Sequence, residues 1–168
     1  VALFRSIATP GRAPAGDPLL EEIVTLCGHL PLALRIASAL LRGRRTWTLQ
    51  HLGARLHASR ATLTGFFDGD RDLASVFDLS YQALSERQQL CFRRLGLVPG
   101  PEVDAYAAAA LLDTDVDEAD LLVQHLSDHS LLLGVSPGRY RIHDLIQAHA
   151  CALAATDPAN PFGAALDW

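Results

Sequence analysis

Residues 130–155 constrain the fold more than any other stretch, because the hydrophobic period changes twice within them. An apolar run of strand length over 130–135 is followed by the turn residues Ser136-Pro137-Gly138 and then by Arg139-Tyr140-Arg141-Ile142, a short alternating strand. From Asp144 to Ala155 the apolar residues return to helical spacing, which predicts a closing helix with Leu145, Ile146, Ala148 and Leu153 facing inward.

What precedes is helical in pattern. Residues 1–8 predict a short helix, ended by 9–16, where Pro and Gly are too dense for anything but a loop. Asp17 and Pro18 suit the N-cap and first helical position, and Leu19, Leu20, Ile23, Val24 and Cys27 share a face that Gly28 is placed to end. Pro31 opens the next helix, whose Leu34, Ala37, Ala39, Leu40 and Leu41 form a broad apolar stripe, and a fourth helix lies around 49–56. Residues 65–70 read as a hinge, with Asp68 and Asp70 flanking a glycine in a turn. Helices follow over 73–84, 85–95, 104–112 and 117–129. Three helices, a hairpin and a helix is the order of a winged helix. The expected fold class is therefore mostly α, a small helical bundle followed by a winged-helix domain with one short β-hairpin.

Charge supports two domains. Residues 1–68 carry eight Arg against four acids, whereas 69–168 carry six Arg against fifteen, so the balance moves from +4 to −9. Every basic residue is arginine, and without lysine the chain cannot contain a Walker A loop, whose lysine reaches the β- and γ-phosphates. Cys27, Cys91 and Cys151 are odd in number and lack a C-x-x-C pair, so they are expected to behave as small buried hydrophobes. His125 and His129 share a helical face, but Leu126 stands where H-E-x-x-H has Glu, and no metal site is expected. No apolar run approaches the ~20 residues of a membrane span, and the first residues lack a signal peptide's pattern, so a cytoplasmic setting without membrane contact is expected. A chain that begins at Val1 and has no methionine reads as a piece of a longer protein.

Four motifs then carry a resemblance that covers nearly the whole chain: Cys27-Gly28-His29-Leu30-Pro31-Leu32-Ala33-Leu34-Arg35-Ile36, Val76-Phe77-Asp78-Leu79-Ser80-Tyr81, Leu95-Gly96-Leu97-Val98-Pro99-Gly100, and Gly138-Arg139-Tyr140-Arg141-Ile142-His143-Asp144-Leu145. In this order they resemble the second half of the NB-ARC module of STAND-class signalling ATPases, as found in AfsR-like regulators of the Streptomyces antibiotic regulatory protein family. The resemblance implies an ARC helical subdomain over 1–67, a winged-helix domain over 68–157 and a linker over 158–168. It also implies that a P-loop domain of the same protein holds ADP or ATP with Mg²⁺, and that ATP hydrolysis belongs to that domain. A DNA-binding region N-terminal to this piece and a repeat region C-terminal to it are implied as well, with a full-length protein that can oligomerise on activation.

The site residues follow from the same resemblance. The Gly-Leu-Pro motif maps to His29-Leu30-Pro31, which places Leu30 and Pro31 near the adenine; the Met-His-Asp motif maps to Ile142-His143-Asp144, which places His143 on the ADP β-phosphate. His29 stands where that motif has glycine, and Ile142 where it has methionine, a volume-conserving swap. On physical grounds alone, a histidine at a strand-to-helix junction can put one ring N–H on a phosphate oxygen, and Asp144 can cap the helix that follows. No catalytic residue is expected in this piece. The rival readings are a protein interaction module that binds a basic partner through its acidic winged helix, and a DNA-binding winged helix. The second is disfavoured because 113–130, in the recognition position, hold six acids and no Arg or Lys.

Overall fold

A computed structural model describes residues 1–8, 11–62 and 68–157, with the backbone alone at 60–62 and 68–72. The expected linker over 158–168 and most of the expected hinge lie outside the described residues. The chain divides into two compact units, Val1–Ala83 and Leu84–Trp168. Among the described residues the fold is mostly helical with one small antiparallel sheet, as its pattern predicts.

The first unit contains α1 (Ala2–Ile7), α2 (Pro18–Leu26), α3 (Pro31–Gly43), α4 (Leu49–Thr62) and α5 (Asp68–Gln82). Asp17 caps α2 by accepting from the Leu19 amide at 2.9 Å, with Pro18 in the first helical position. Helix α3 lies at the centre: Ala33, Leu34, Ile36, Ala37, Ala39, Leu40 and Leu41 are all buried, which leaves little of its surface to solvent. Its one buried hydroxyl, Ser38, is satisfied by donating to the Leu34 carbonyl at 2.7 Å. Helices α1 and α5 pack on α3, while α2 packs on α4. On α2 the buried set is Leu20, Ile23, Val24 and Leu26, followed by Cys27, whereas Leu19 is partly exposed.

Helix α5 begins at Asp68, so Asp68 and Asp70 sit in its first turn rather than in the turn expected of them. Because α5 buries Val76, Phe77 and Leu79 and packs on α3 and α4, the two units divide after Ala83. The boundary read from sequence, at 67/68, differs from this one by α5 together with Ala83.

The second unit runs α6 (Glu86–Leu95), β1 (Glu102–Asp104), α7 (Ala105–Leu112), α8 (Val116–Asp128), β2 (Leu133–Ser136), β3 (Arg139–Arg141) and α9 (Asp144–Ala155). Serine or aspartate side chains cap its first three helices: Ser85 with Gln88 forms a capping box on α6, Asp104 accepts from Ala107 on α7, and Asp115 accepts from Glu118 on α8. The sheet order is β1-β3-β2, all antiparallel, with Glu102 opposite Arg141 and Leu133 opposite Arg141 on the other side. The hairpin was expected; β1 was not, since a three-residue strand with Val103 as its only apolar residue has no readable period. Leu131 and Leu132 are core residues just before β2, reached by a turn in which both amides donate to the Leu126 carbonyl, so the strand starts later than its apolar run suggests.

Helix α9 has the predicted length, and of the residues expected to face inward Ile146 is buried and Leu153 half-buried, whereas the rest of the buried face differs. Ile146, Ala150 and Ala154 are buried and continue the line begun by Ile142, whereas Leu145 is half exposed and Ala148 is exposed. The reason is the C-terminal end of α6. A Cβ placed on Gly96 would lie 2.6 Å from the Cys151 amide nitrogen and 2.8 Å from Ala150 Cβ, so backbone meets backbone there and only the small-residue face of α9 can turn toward it. Gly96 has a right-handed φ, hence its requirement is space and not conformation. Cys27 and Cys91 are buried as expected; Cys151, beside this contact, is only partly so. Burial pushes the Cys91 thiol up to about 12, against the opposing pull of Arg87, which leaves it an inert packing group. Gly96→Ala is expected to lower stability by about 1–3 kcal/mol or more, measured by denaturant unfolding, because the facing atoms are backbone and must move together.

Candidate functional site

The expected site residues fall in two turns, one in each unit. In the first unit, α2 ends in a left-handed turn in which Gly28 donates to the Thr25 carbonyl at 2.9 Å and His29 to the Val24 carbonyl at 3.1 Å. This is the Schellman pattern, with Gly28 at φ 59° in its usual place. His29 follows at the same φ. The chain thus makes two successive left-handed steps, and the second explains physically why a glycine would suit the position that His29 holds. Leu30 then becomes the N-cap of α3 without any side-chain cap bond, and Pro31 takes the first helical position. His29, Leu30 and Pro31 are all exposed.

In the second unit, Ile142 is buried and its amide donates to the Pro101 carbonyl at 2.9 Å, so β3 is anchored just before the turn. His143 is exposed and is itself the N-cap of α9: its Nδ1 accepts from the Leu145 amide at 3.2 Å. Asp144, expected to be the cap, occupies the first helical turn instead, where its carboxylate favours the positive end of the helix. A ring nitrogen that accepts from an amide carries no proton. The neutral ring must then hold its proton on Nε2, and that N–H is the donor available to a ligand.

The same turn is braced from α9. Gln147 donates through Nε2 to the Val98 carbonyl at 2.9 Å, and its own amide donates to the His143 carbonyl at 2.9 Å. Two of the four sequence motifs therefore meet in space, since the segment Leu95–Gly100 supports the segment that carries His143. Gln147 gave no signal in sequence beyond lying four residues after His143. The motif around Val76 plays a different part, as the buried face of α5.

Charge in the second unit is arranged around the sheet. Glu102 on β1 meets Arg141 at 2.8 Å and Arg139 at 3.3 Å, and Asp104 lies 3.8 Å from Arg139. Hydrogen bonds from Arg141, and then Arg139, hold the Glu102 carboxyl below its ordinary value. On α8, Glu118 is likewise lowered by hydrogen bonds from Arg87 and Thr114. Among the described residues no group of three or more His, Cys, Asp or Glu could hold a metal ion, and no helix is long and apolar enough to cross a membrane.

No family model matches the chain. It is 42% identical over 159 residues, 95% of its length, to the regulatory protein AfsR of Streptomyces griseus, and 41% identical over 92% of its length to that of Streptomyces coelicolor. A disease resistance protein of Arabidopsis thaliana, RML1A, is 30% identical over 77% of the chain. The chain is an AfsR-like segment, and the resemblance carried by its four motifs extends along nearly its whole length. It spans 16% of the length of the AfsR proteins and 12% of that of the plant protein.

Two expectations follow from this geometry. His29→Val should destabilise the chain by about 1–2 kcal/mol in thermal or denaturant unfolding, because a β-branched residue is strained at positive φ, while His29→Gly should be tolerated. The second concerns acid. A carboxyl lowered in the folded state stabilises above its unfolded value, and that contribution is lost as pH falls through the folded one. Glu102→Gln should therefore be less stable than the parent chain at neutral pH, with the difference closing as pH drops below about 4, followed by unfolding across a pH series.

Proposed function

We propose that this chain is the nucleotide-sensing part of a longer AfsR-like transcriptional regulator. It closes over ADP held by a P-loop domain of the same protein and reopens when ATP replaces it. His143 is the sensor: its Nε2–H donates to the β-phosphate, while Leu30 and Pro31 approach the adenine from the exposed turn before α3. Mg²⁺ and hydrolysis belong to the P-loop domain, and this piece contributes no catalytic residue. The observation that carries the reading is the hydrogen bond from the Leu145 amide to His143 Nδ1, which leaves the Nε2 edge of an exposed ring facing outward at the start of a helix.

The energetics suit a switch. A charge-assisted hydrogen bond contributes about 1.5–3 kcal/mol, and only in the state where donor and phosphate meet. A difference of ~3 kcal/mol between closed and open states shifts their ratio roughly a hundredfold, which is the scale a regulatory nucleotide needs. Direct DNA contact by this piece is disfavoured by its charges. The exposed arginines of the hairpin are paired with Glu102 and Asp104, and α8 is acidic, so phosphate neutralisation would fall to another region of the full protein. The C-terminal repeat region and any oligomerisation on activation likewise belong to the full-length regulator.

The test needs the complete module, because the P-loop lies outside this chain. His143→Ala removes both the phosphate donor and the α9 cap, whereas His143→Asn keeps a capping side chain. Both variants should lose ADP retention by roughly 10- to 100-fold in a nucleotide-release assay, the equivalent of one charge-assisted bond. Unchanged retention in His143→Asn would remove the sensor role.

A further inference from the structure

A second polar site lies at the far end of α3, roughly 20 Å from Pro31 by helical rise. There a cleft of about 270 Å³ is lined by Arg44, Trp47, Arg55, Leu79, Gln82 and Ala83. The guanidinium carbon of Arg44 stands 5.2 Å from the centre of the Trp47 ring and that of Arg55 stands 5.7 Å from it, so the two charges lie within about 11 Å of each other. Stacking on an indole orients a guanidinium while leaving its edge N–H donors open.

Among the described residues these two cations lack the carboxylate partners that usually explain such a cluster, and neither is within ion-pair distance of one. The carbonyls at the end of α3 are served by Arg12, which donates to Leu41, Arg44 and Trp47. Arg44 donates to the Ala83 carbonyl at 3.0 Å, which fixes its side chain across the cleft, and Arg55 is exposed. Each guanidinium has five donors, so most remain available. Two like charges held around one ring, beside a cleft with Leu79 and Ala83 as apolar wall, favour an anion between them.

We infer that this cleft binds a small ligand bearing a carboxylate or phosphate group, seated against Arg44 and Arg55 with the Trp47 ring as its wall. The cavity is smaller than the ~300–1,000 Å³ of pockets that take drug-sized ligands, which favours a single anionic group or a small dicarboxylate over a nucleotide. The planar fork of each arginine matches either oxyanion through paired, charge-assisted bonds. The site shares no residue with the His143 and Pro31 turns, and its test stands apart from theirs.

Trp47 and Trp168 are the two tryptophans of the chain, so in the full 168-residue chain Trp168→Phe leaves Trp47 as the reporter. That protein is titrated with inorganic phosphate and, separately, with succinate, each against sodium chloride at equal ionic strength. A saturable change in Trp47 emission is expected with at least one of them. Phosphate alone identifies a phosphoryl ligand and succinate alone a carboxylate ligand. Arg55→Gln, an exposed substitution whose fold is checked by circular dichroism, should weaken the response about tenfold, as loss of one charged partner does. No response to either anion, a response that chloride reproduces, or one of unchanged affinity in folded Arg55→Gln overturns the inference.

Discussion

The second unit depends on the contact between Gly96 and α9. Space for a Cβ is missing at Gly96, and the atoms that would meet it are the backbone and Cβ of Ala150 and the backbone of Cys151. Such a contact leaves α9 one orientation, with its small residues turned inward and Leu145 turned out. The start of the helix is located by the same constraint. Ile142 is buried behind it, and Gln147 ties its first turn to the Val98 carbonyl. A mobile loop could not present a histidine in one direction; this braced turn can, and it does so without placing His143 under cover.

Capping and recognition are coupled in that histidine. Nδ1 is engaged in ending the backbone's unmet hydrogen bonds at the helix start, and this sets the proton on Nε2. A structural role and a proposed ligand role therefore occupy opposite edges of one ring. The division also explains how His143 takes the cap expected of Asp144: the carboxylate is one residue too late to cap, yet well placed to favour the positive helix end.

Charge separates the two units in kind. The first carries arginines gathered at the end of α3, two of them stacked on Trp47 with no carboxylate facing them among the described residues. In the second, acids cap helices and neutralise the arginines of the hairpin. The same residue type is thus left open for an anion in one unit and closed off in the other. Net charge alone would have predicted the acidic character of the second unit but not that its arginines are already engaged.

Most of the helices were legible because their signals are local. Asp17-Pro18, Ser85 with Gln88, and the apolar stripe of α3 act within one or two turns of the chain, and short-range hydrogen bonds and helical periodicity suffice to read them. The motifs around Leu30, Pro31 and His143 were equally legible as patterns. Strand β1, the buried face of α9, the brace from Gln147 and the Trp47 cleft were not. Each depends on residues that meet across tens of positions, as Glu102 meets Arg141 or Arg44 meets Ala83. The amino-acid sequence by itself determined which helices form, their order and the kinship of the chain; tertiary structure decided which face α9 buries and which edge of His143 remains free, because both are set by close packing against distant backbone that no local pattern encodes.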